Sequence, residues 1–210
     1  MLIGRGTSTS RYNILNLQCN GKMWLKGTYE VTGADYAEYF EWIDGNNNNE
    51  DRRGRFVTID DGEMIRLATS EDDYILGVVS GNPSVLGDAH EEDWKDRFLK
   101  DVYGSPVIET REIDEEIDEI TGEIIPAHTD TFQVVNPDYD PDKKYIARKD
   151  RREWASIGML GKLIVDDDGT CEVNGYARPG KDGIATKGTY ENGYRVIARI
   201  DENHIKVLFK

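Results

Sequence analysis

Glycine punctuates this chain. Twenty-one glycines are spread along 210 residues, and the runs between them are short and rich in alternating or β-branched apolar side chains. Turns at that frequency predict many short strands. The clearest case joins residues 12–19 to residues 22–31 through Asn20-Gly21. Asn-Gly between two alternating runs is the strongest short-range hairpin signal, because both residues tolerate the positive φ of a tight turn. A lone hairpin is marginal in water, so this one must lie on something else. Further strands are expected at residues 55–59, 64–67 and 74–80, with turns at Asp60-Asp61-Gly62 and Asn82-Pro83. More follow at 161–165, 170–176, 194–199 and 204–209, and the four asparagines of 46–49 read as a polar loop. Trp94, Phe98, Leu99 and Val102 fall at helical spacing and predict a helix over 89–103, with Asp88 as its cap. Over 105–132, six isoleucines sit among glutamates and aspartates. Their β propensity favours a long exposed hairpin turning at Thr121-Gly122 over a helix. The fold class that emerges is mainly β with one or two helices.

The length suffices for one sizeable core, or one domain with a short appended segment. A formal net charge of −15 argues against a nucleic-acid backbone or an anionic membrane as partner. No apolar run reaches the roughly 18 residues of a membrane span, and the N-terminus shows no basic-then-apolar leader. Cys19 and Cys171 are too few for a disulfide framework and read as two unpaired thiols.

One segment interleaves acids with aromatics. Gly33-Ala34-Asp35-Tyr36-Ala37-Glu38-Tyr39-Phe40-Glu41-Trp42 places three carboxylates and four rings in ten residues. Carboxylates beside rings in a partly dry setting have raised pKa values, as acid–base chemistry near neutrality requires. The plainer reading is a short amphipathic helix with Asp35 near its N-cap and Tyr36, Phe40 and Trp42 on the core. On such a helix Asp35 and Glu38, three apart, share one face. Asp35 has a further property: its carboxyl oxygen reaches the carbonyl carbon of Ala34 through a six-membered ring. A carboxyl held there can attack or protonate the peptide on its own N-terminal side, provided the bond is oriented and a second acid or base assists. Glu38 is the candidate for that second role, as general acid for the departing amine or as activator of water.

Other chemistry has less support. His90, His128 and His204 are isolated and lack zinc spacing. Asp138, Asp140 and Asp142 begin like a calcium loop, but Pro141 and the missing glycine and distal glutamate break it. Gly158 to Gly161 is no phosphate loop, and no serine has a nucleophile elbow around it. No metal and no cofactor is expected.

Gly-Ala-Asp-Tyr-Ala-Glu-Tyr-Phe-Glu-Trp resembles the signature of the self-cleaving C-terminal chaperone domain of phage tail spikes and related prophage proteins, the peptidase G2 family. The likeness continues through Asp44-Gly45, residues 50–54, Ile75-Leu76-Gly77-Val78-Val79-Ser80 and Asn82-Pro83-Ser84-Val85. It resumes at Leu160-Gly161-Lys162-Leu163, Asp167-Asp168-Gly169-Thr170-Cys171 and Val173-Asn174-Gly175-Tyr176. The resemblance implies cleavage on the N-terminal side of Asp35, at the Ala34–Asp35 bond, with Glu38 assisting and Gly33, Tyr36 and Glu41 in support. Some relatives have serine before the cut; Ala34 stands there here. The resemblance also implies a division into residues 1–34, the end of an upstream fibre, and residues 35–210, the autoproteolytic chaperone. The implied partners are sister copies in a homotrimer and the upstream spike of the same chain, within a virion tail component assembled in the bacterial cytoplasm. Two other readings stand beside it. One is a non-catalytic trimerisation cap with Tyr36, Tyr39, Phe40 and Trp42 as interface core. The other is a receptor-binding tip in which Trp24, Trp94 and Trp154 stack on sugars.

Overall fold

The chain is described by a computed structural model in which residues 2–6, 11–17, 22–90, 96–118, 120 and 122–210 are described. Strands β1 (Leu2–Gly6), β2 (Arg11–Leu17) and β3 (Met23–Leu25) form a three-stranded antiparallel sheet of their own. The β2–β3 pairing is the expected hairpin with a shorter second arm, since the strand expected over 22–31 spans only Met23–Leu25; Asn20-Gly21 and Cys19 lie outside the described residues. Next come β4 (Asp35–Glu41), β5 (Phe56–Ile59), β6 (Ile65–Leu67), β7 (Gly77–Val79) and β8 (Val85–Gly87). The acidic segment supplies β9 (Ile108–Ile113), β10 (Glu116–Ile117), β11 (Ile124–Ile125) and β12 (His128–Gln133). β9 pairs with β12 and β10 with β11, so the expected hairpin forms as a two-stranded ribbon with Gly122 at its tip at φ 73°. The chain closes with β13 (Trp154–Asp166), β14 (Tyr176–Pro179), β15 (Ala185–Gly188), β16 (Tyr194–Arg199) and β17 (His204–Phe209).

The main sheet has ten strands and runs β15-β14-β16-β17-β13-β7-β5-β6, with β4 on β13 and β8 on β4. β13 is its spine. Its first half pairs with β4 and β7 and its second half with β17, and a bulge between Gly158 and Leu160 shifts the β4 register. The strands that build the core alternate as half-buried strands do: Ile205, Val207 and Phe209 are buried while His204, Lys206 and Leu208 are half-exposed. Two apolar clusters result. Phe56, Val78, Val165, Val196 and Ile205 belong to one, and Trp42, Val57, Ile65 and Ile157 to the other. Each fully buried side chain of this size contributes roughly 1.5–3 kcal/mol.

Three expectations need correction. Of the helix expected over 89–103, residues 91–95 lie outside the described residues. From Phe98 onward the chain is drawn into bridges instead, Phe98 to Val135 and Lys100 to Pro106, and Val102 is 92% exposed. Helical content among the described residues is two single 3-10 turns, Arg148–Asp150 and Lys181–Gly183. Residues 170–176 are a turn rather than a strand, because Asn174 takes φ 68° and the strand begins only at Tyr176. Residues 35–41 form a strand, not a helix.

Candidate active site

That third correction decides the geometry. β4 lies between β13, which it pairs antiparallel, and β8, which it pairs in parallel at Tyr36–Val85, Ala37–Leu86 and Glu38–Gly87. Tyr and Phe suit such a doubly paired strand. Side chains alternate along it, so Asp35 and Ala37 are buried on one face while Tyr36 and Glu38 project from the other. The spacing of three that would unite Asp35 and Glu38 on a helix separates them on a strand.

The Ala34–Asp35 peptide sits where several segments converge. Lys162 donates its backbone N–H to the Ala34 carbonyl at 3.3 Å. The carbonyl of Asp35 accepts from the backbone N–H of Ser84 at 2.8 Å and from its hydroxyl at 2.6 Å. The carbonyls on both sides of Asp35 are therefore held. Gly161, at φ 116°, lies on the peptide so closely that a Cβ would stand 2.3 Å from the Ala34 oxygen and 3.0 Å from the Asp35 Cα. Gly33 is packed in the same way against the 82–84 turn, where a Cβ would come within 2.5 Å of the Ser84 nitrogen. Ala34 itself is exposed, on a cleft of about 680 Å³ that Asp35, Ser80, Lys162 and Lys206 also line.

Asp35 is 5% exposed, and its Oδ2 is buried without a hydrogen-bond partner. That oxygen occupies the space a side chain at Gly158 would fill, 2.8 Å from the position of a Cβ there. Burial raises the carboxyl's pKa above 3.8, and a hydrogen bond with the Ser80 side chain opposes the shift without cancelling it. The other two carboxylates on this cleft are occupied. Arg53 holds Asp51 down to about 2 by hydrogen bonding, and Asp166 accepts from Arg55 at 2.7 Å.

Glu38 belongs to a second cleft, of about 890 Å³, with Phe40, Met64, Arg148 and Trp154 on its walls. The Tyr36 hydroxyl donates to Glu38, which pushes the phenol pKa up. Glu41 pairs opposite Trp154 on the same cleft, roughly 20 Å along the strand from Asp35. The structure thus gathers Gly33, Ala34 and Asp35 at one place, and Tyr36, Glu38 and Glu41 at another. Trp154 carries the Arg148 guanidinium over its ring at 3.8 Å, so that ring face is covered; Trp24 is 51% exposed and Trp94 lies outside the described residues. Asp140 and Asn136 side chains accept from the N–H groups of Asp142 and Asp138, which makes the 136–142 segment a pair of ordinary turns.

Residue-by-residue reasoning on the sequence did not assign Ser80, Ser84, Gly158, Gly161 or Lys162 to this site. The available signal was the recurrence of Asn82-Pro83-Ser84-Val85 and Leu160-Gly161-Lys162-Leu163 in the family resemblance, without a reason attached.

Comparison with known proteins shows the family. Residues 4–204 match Peptidase_G2, the IMC autoproteolytic cleavage domain. The chain is 34% identical over 189 residues to the pre-neck appendage protein of Bacillus phage B103, covering 88% of this chain and 20% of that protein. It is 32% identical over 197 residues to the phage-related protein YobO of Bacillus subtilis (strain 168), covering 93% of this chain and 22% of that protein. It therefore spans about a fifth of the length of these curated relatives. Among solved structures, the pre-mature bacteriophage phi29 gene product 12 superposes with a TM-score of 0.74 at 28% identity, over 94% of this chain and 24% of that one. The C-terminal fragment of the same gene product gives 0.62 at 29% identity, over 84% of this chain and all of the fragment. With nearly its whole length matched, the chain belongs to the Peptidase_G2 family of autoproteolytic cleavage domains.

Proposed function

We propose that this chain is the C-terminal intramolecular chaperone of a phage or prophage tail spike or appendage, and that it severs itself at Ala34–Asp35 once assembled as a homotrimer. Residues 1–34 are then the end of the upstream fibre, and residues 35–210 the released chaperone. The separate three-stranded sheet of β1–β3 is consistent with that boundary. The solved relatives, described as a pre-mature form and a C-terminal fragment, are consistent with it too; the fragment matches 84% of this chain, the share that residues 35–210 represent. The appendage relatives support a virion component, which on this reading is assembled in the host cytoplasm.

One observation carries the chemistry: a dry, unpartnered carboxyl oxygen on Asp35, beside a peptide whose flanking carbonyls are both held. A carboxyl in its protonated form, which burial favours, supplies two things at once. One Oδ adds to the Ala34 carbonyl carbon while the carboxyl proton passes to the Asp35 nitrogen. The C–N bond breaks, leaving Ala34 joined to Asp35 as a mixed anhydride and a free α-amine on Asp35. Water then adds to the anhydride, with Glu38 accepting its proton, and yields the Ala34 carboxyl and the restored Asp35 carboxyl. The Lys162 N–H points at the oxygen on which negative charge develops. The attack is in cis and occurs once per chain.

Intact mass under denaturing conditions tests this. The parent should resolve into residues 1–34 and 35–210 after trimer formation, while Asp35→Ala and Glu38→Ala stay whole. A parent that stays whole as a verified trimer would leave the non-catalytic cap.

A further inference from the structure

We infer that Glu38 acts on the bond of a neighbouring copy, not on its own, so that each cleavage site is completed only across a subunit interface. The inference rests on the proposed cleavage at Ala34–Asp35 and goes beyond it by naming which chain supplies the second carboxylate.

The first support is the strand. Asp35 and Glu38 are three residues apart on β4, roughly 10 Å along its axis, and project from opposite faces. Rotation of the strand to bring them together is barred on both edges, since β13 pairs from Trp154 to Gly161 and β8 from Val85 to Gly87. A single chain therefore presents the scissile bond in one cleft and Glu38 in another.

The second support is what the scissile cleft lacks. Its own further carboxylates, Asp51 and Asp166, are tied to Arg53 and Arg55. With Asp35 consumed as the attacking group, no uncommitted carboxylate of the same chain lines that cleft among the described residues.

The third support is complementarity between the two clefts. The Glu38 cleft carries five carboxylates against two guanidinium groups, and one of those, Arg148, is buried against Asp88. The scissile cleft presents Lys162 and Lys206, for which no side-chain partner is seen among the described residues. Each cleft is also bordered by exposed apolar side chains that an interface would cover: Leu160 and Ile164 beside the scissile bond, Met64 and Val85 beside Glu38. A contact in which one face of a subunit meets the other face of the next is heterologous, and it closes into a ring when its rotation allows. In such a ring every subunit both gives a Glu38 and receives one. An isolated chain, however well folded, holds half of each site.

The test is complementation between two inactive chains carrying different affinity tags. One carries Glu38→Gln and keeps its Asp35; the other carries Asp35→Asn and keeps its Glu38. Each is purified as a trimer alone, and the two are then co-expressed, with mixed trimers isolated through both tags. Neither variant should cleave alone. In mixed trimers the Glu38→Gln chains should be cut, in about two thirds of the copies for random equimolar assembly around a three-membered ring once the unmixed trimers have been removed, and the Asp35→Asn chains never. Uncut Glu38→Gln chains in verified mixed trimers, beside a parent that cleaves at Ala34–Asp35, would overturn the inference and leave the proposed function standing. Cleavage of Glu38→Gln homotrimers at the parent rate would remove Glu38 from the reaction and overturn it as well. A parent that never cleaves would defeat the proposed function itself.

Discussion

Gly161→Ala isolates the geometry of the scissile peptide from the general stability of the fold. Two effects are expected, and they differ in size. Residue 161 takes φ 116°, a conformation L side chains rarely adopt, and forcing alanine there costs about 1–3 kcal/mol. The new methyl would also stand 2.3 Å from the Ala34 oxygen, whereas ordinary contact begins near 3.4 Å. The carbonyl has to retreat by about 1 Å. A displacement of that size at a reacting centre costs on the order of 100-fold in rate. Gly169→Ala is the matched control: its φ is 90°, so the backbone penalty is comparable, yet nothing lies within 4 Å of its Cβ position. The assay follows cleaved fraction against time by intact mass, with melting temperatures of uncleaved samples measured alongside. Both variants should melt below the parent. Only Gly161→Ala should cleave about 100-fold more slowly. If Gly161→Ala cleaved within about threefold of the parent, a change in barrier under about 0.7 kcal/mol, the Ala34–Asp35 peptide would not be the one that reacts.

On the proposed mechanism the attacking carboxyl must carry its proton, so cleavage should slow as pH rises through the raised Asp35 pKa; a rate that climbs across that range would contradict the role. The same shift has a stability consequence: the folded state binds this proton more tightly than the unfolded state, so the stabilisation is complete below the ordinary carboxylate range and lost as pH rises through the folded pKa. Asp35→Asn, compared with uncleaved Glu38→Gln, should therefore melt higher near pH 8 and lose that lead toward pH 4, and a lead independent of pH would count against burial as the cause. Arg199 donates to Asp167 at 2.6 Å, and the Asp167 side chain is wholly buried, so Arg199→Met should cost about 3 kcal/mol in a urea titration by stranding that carboxylate. Burial pushes the Cys171 thiol up to about 12, so iodoacetamide at pH 8 should leave it unmodified in the folded protein and alkylate it in urea, as peptide mass mapping will record.

The strands that were legible in the sequence are those whose environment is one-sided. In residues 204–209 burial alternates because one face meets the core and the other does not, and only Leu208 breaks the matching apolar–polar alternation; at 194–199 the strand was legible from its apolar content, since a bulge between Val196 and Ala198 interrupts the alternation. The failures have equally physical causes. Around 98–102 the apolar spacing fits a helix, yet Phe98 and Lys100 are claimed by bridges to residues far along the chain, and local periodicity carries no record of them. At 170–176 the apolar content is that of a strand, but a positive φ at Asn174 turns the chain, and asparagine bears that conformation without announcing it. The acidic ribbon was legible through its isoleucines, whose β propensity outweighed the helix-friendly glutamates.

The residues of the candidate site were easier to find than their arrangement. Interleaved acids and rings mark 35–42 as unusual under either backbone, but the period decides the chemistry: a helix unites Asp35 with Glu38 and a strand opposes them. What orients the peptide comes from elsewhere, a backbone N–H at residue 162 and a serine at residue 84, and no spacing rule links groups so far apart. Gly158 and Gly161 leave still less trace, since what they contribute is the absence of a side chain where Asp35 Oδ2 and the Ala34 carbonyl need room. The opposition of the two carboxylates then acquires a reason. A bond that must survive until the fibre has assembled is protected if the group that completes its chemistry faces away from it in the monomer and meets it only in the next subunit. If Glu38 acts across the interface as proposed, a variant that tethers a carboxylate beside Asp35 on its own face, Ser80→Asp, should cut while still monomeric. Size-exclusion chromatography of freshly translated chains, with intact mass on the monomer fraction, would detect it. Uncut Ser80→Asp monomer that folds and later cleaves as a trimer would show that assembly supplies more than the missing carboxylate.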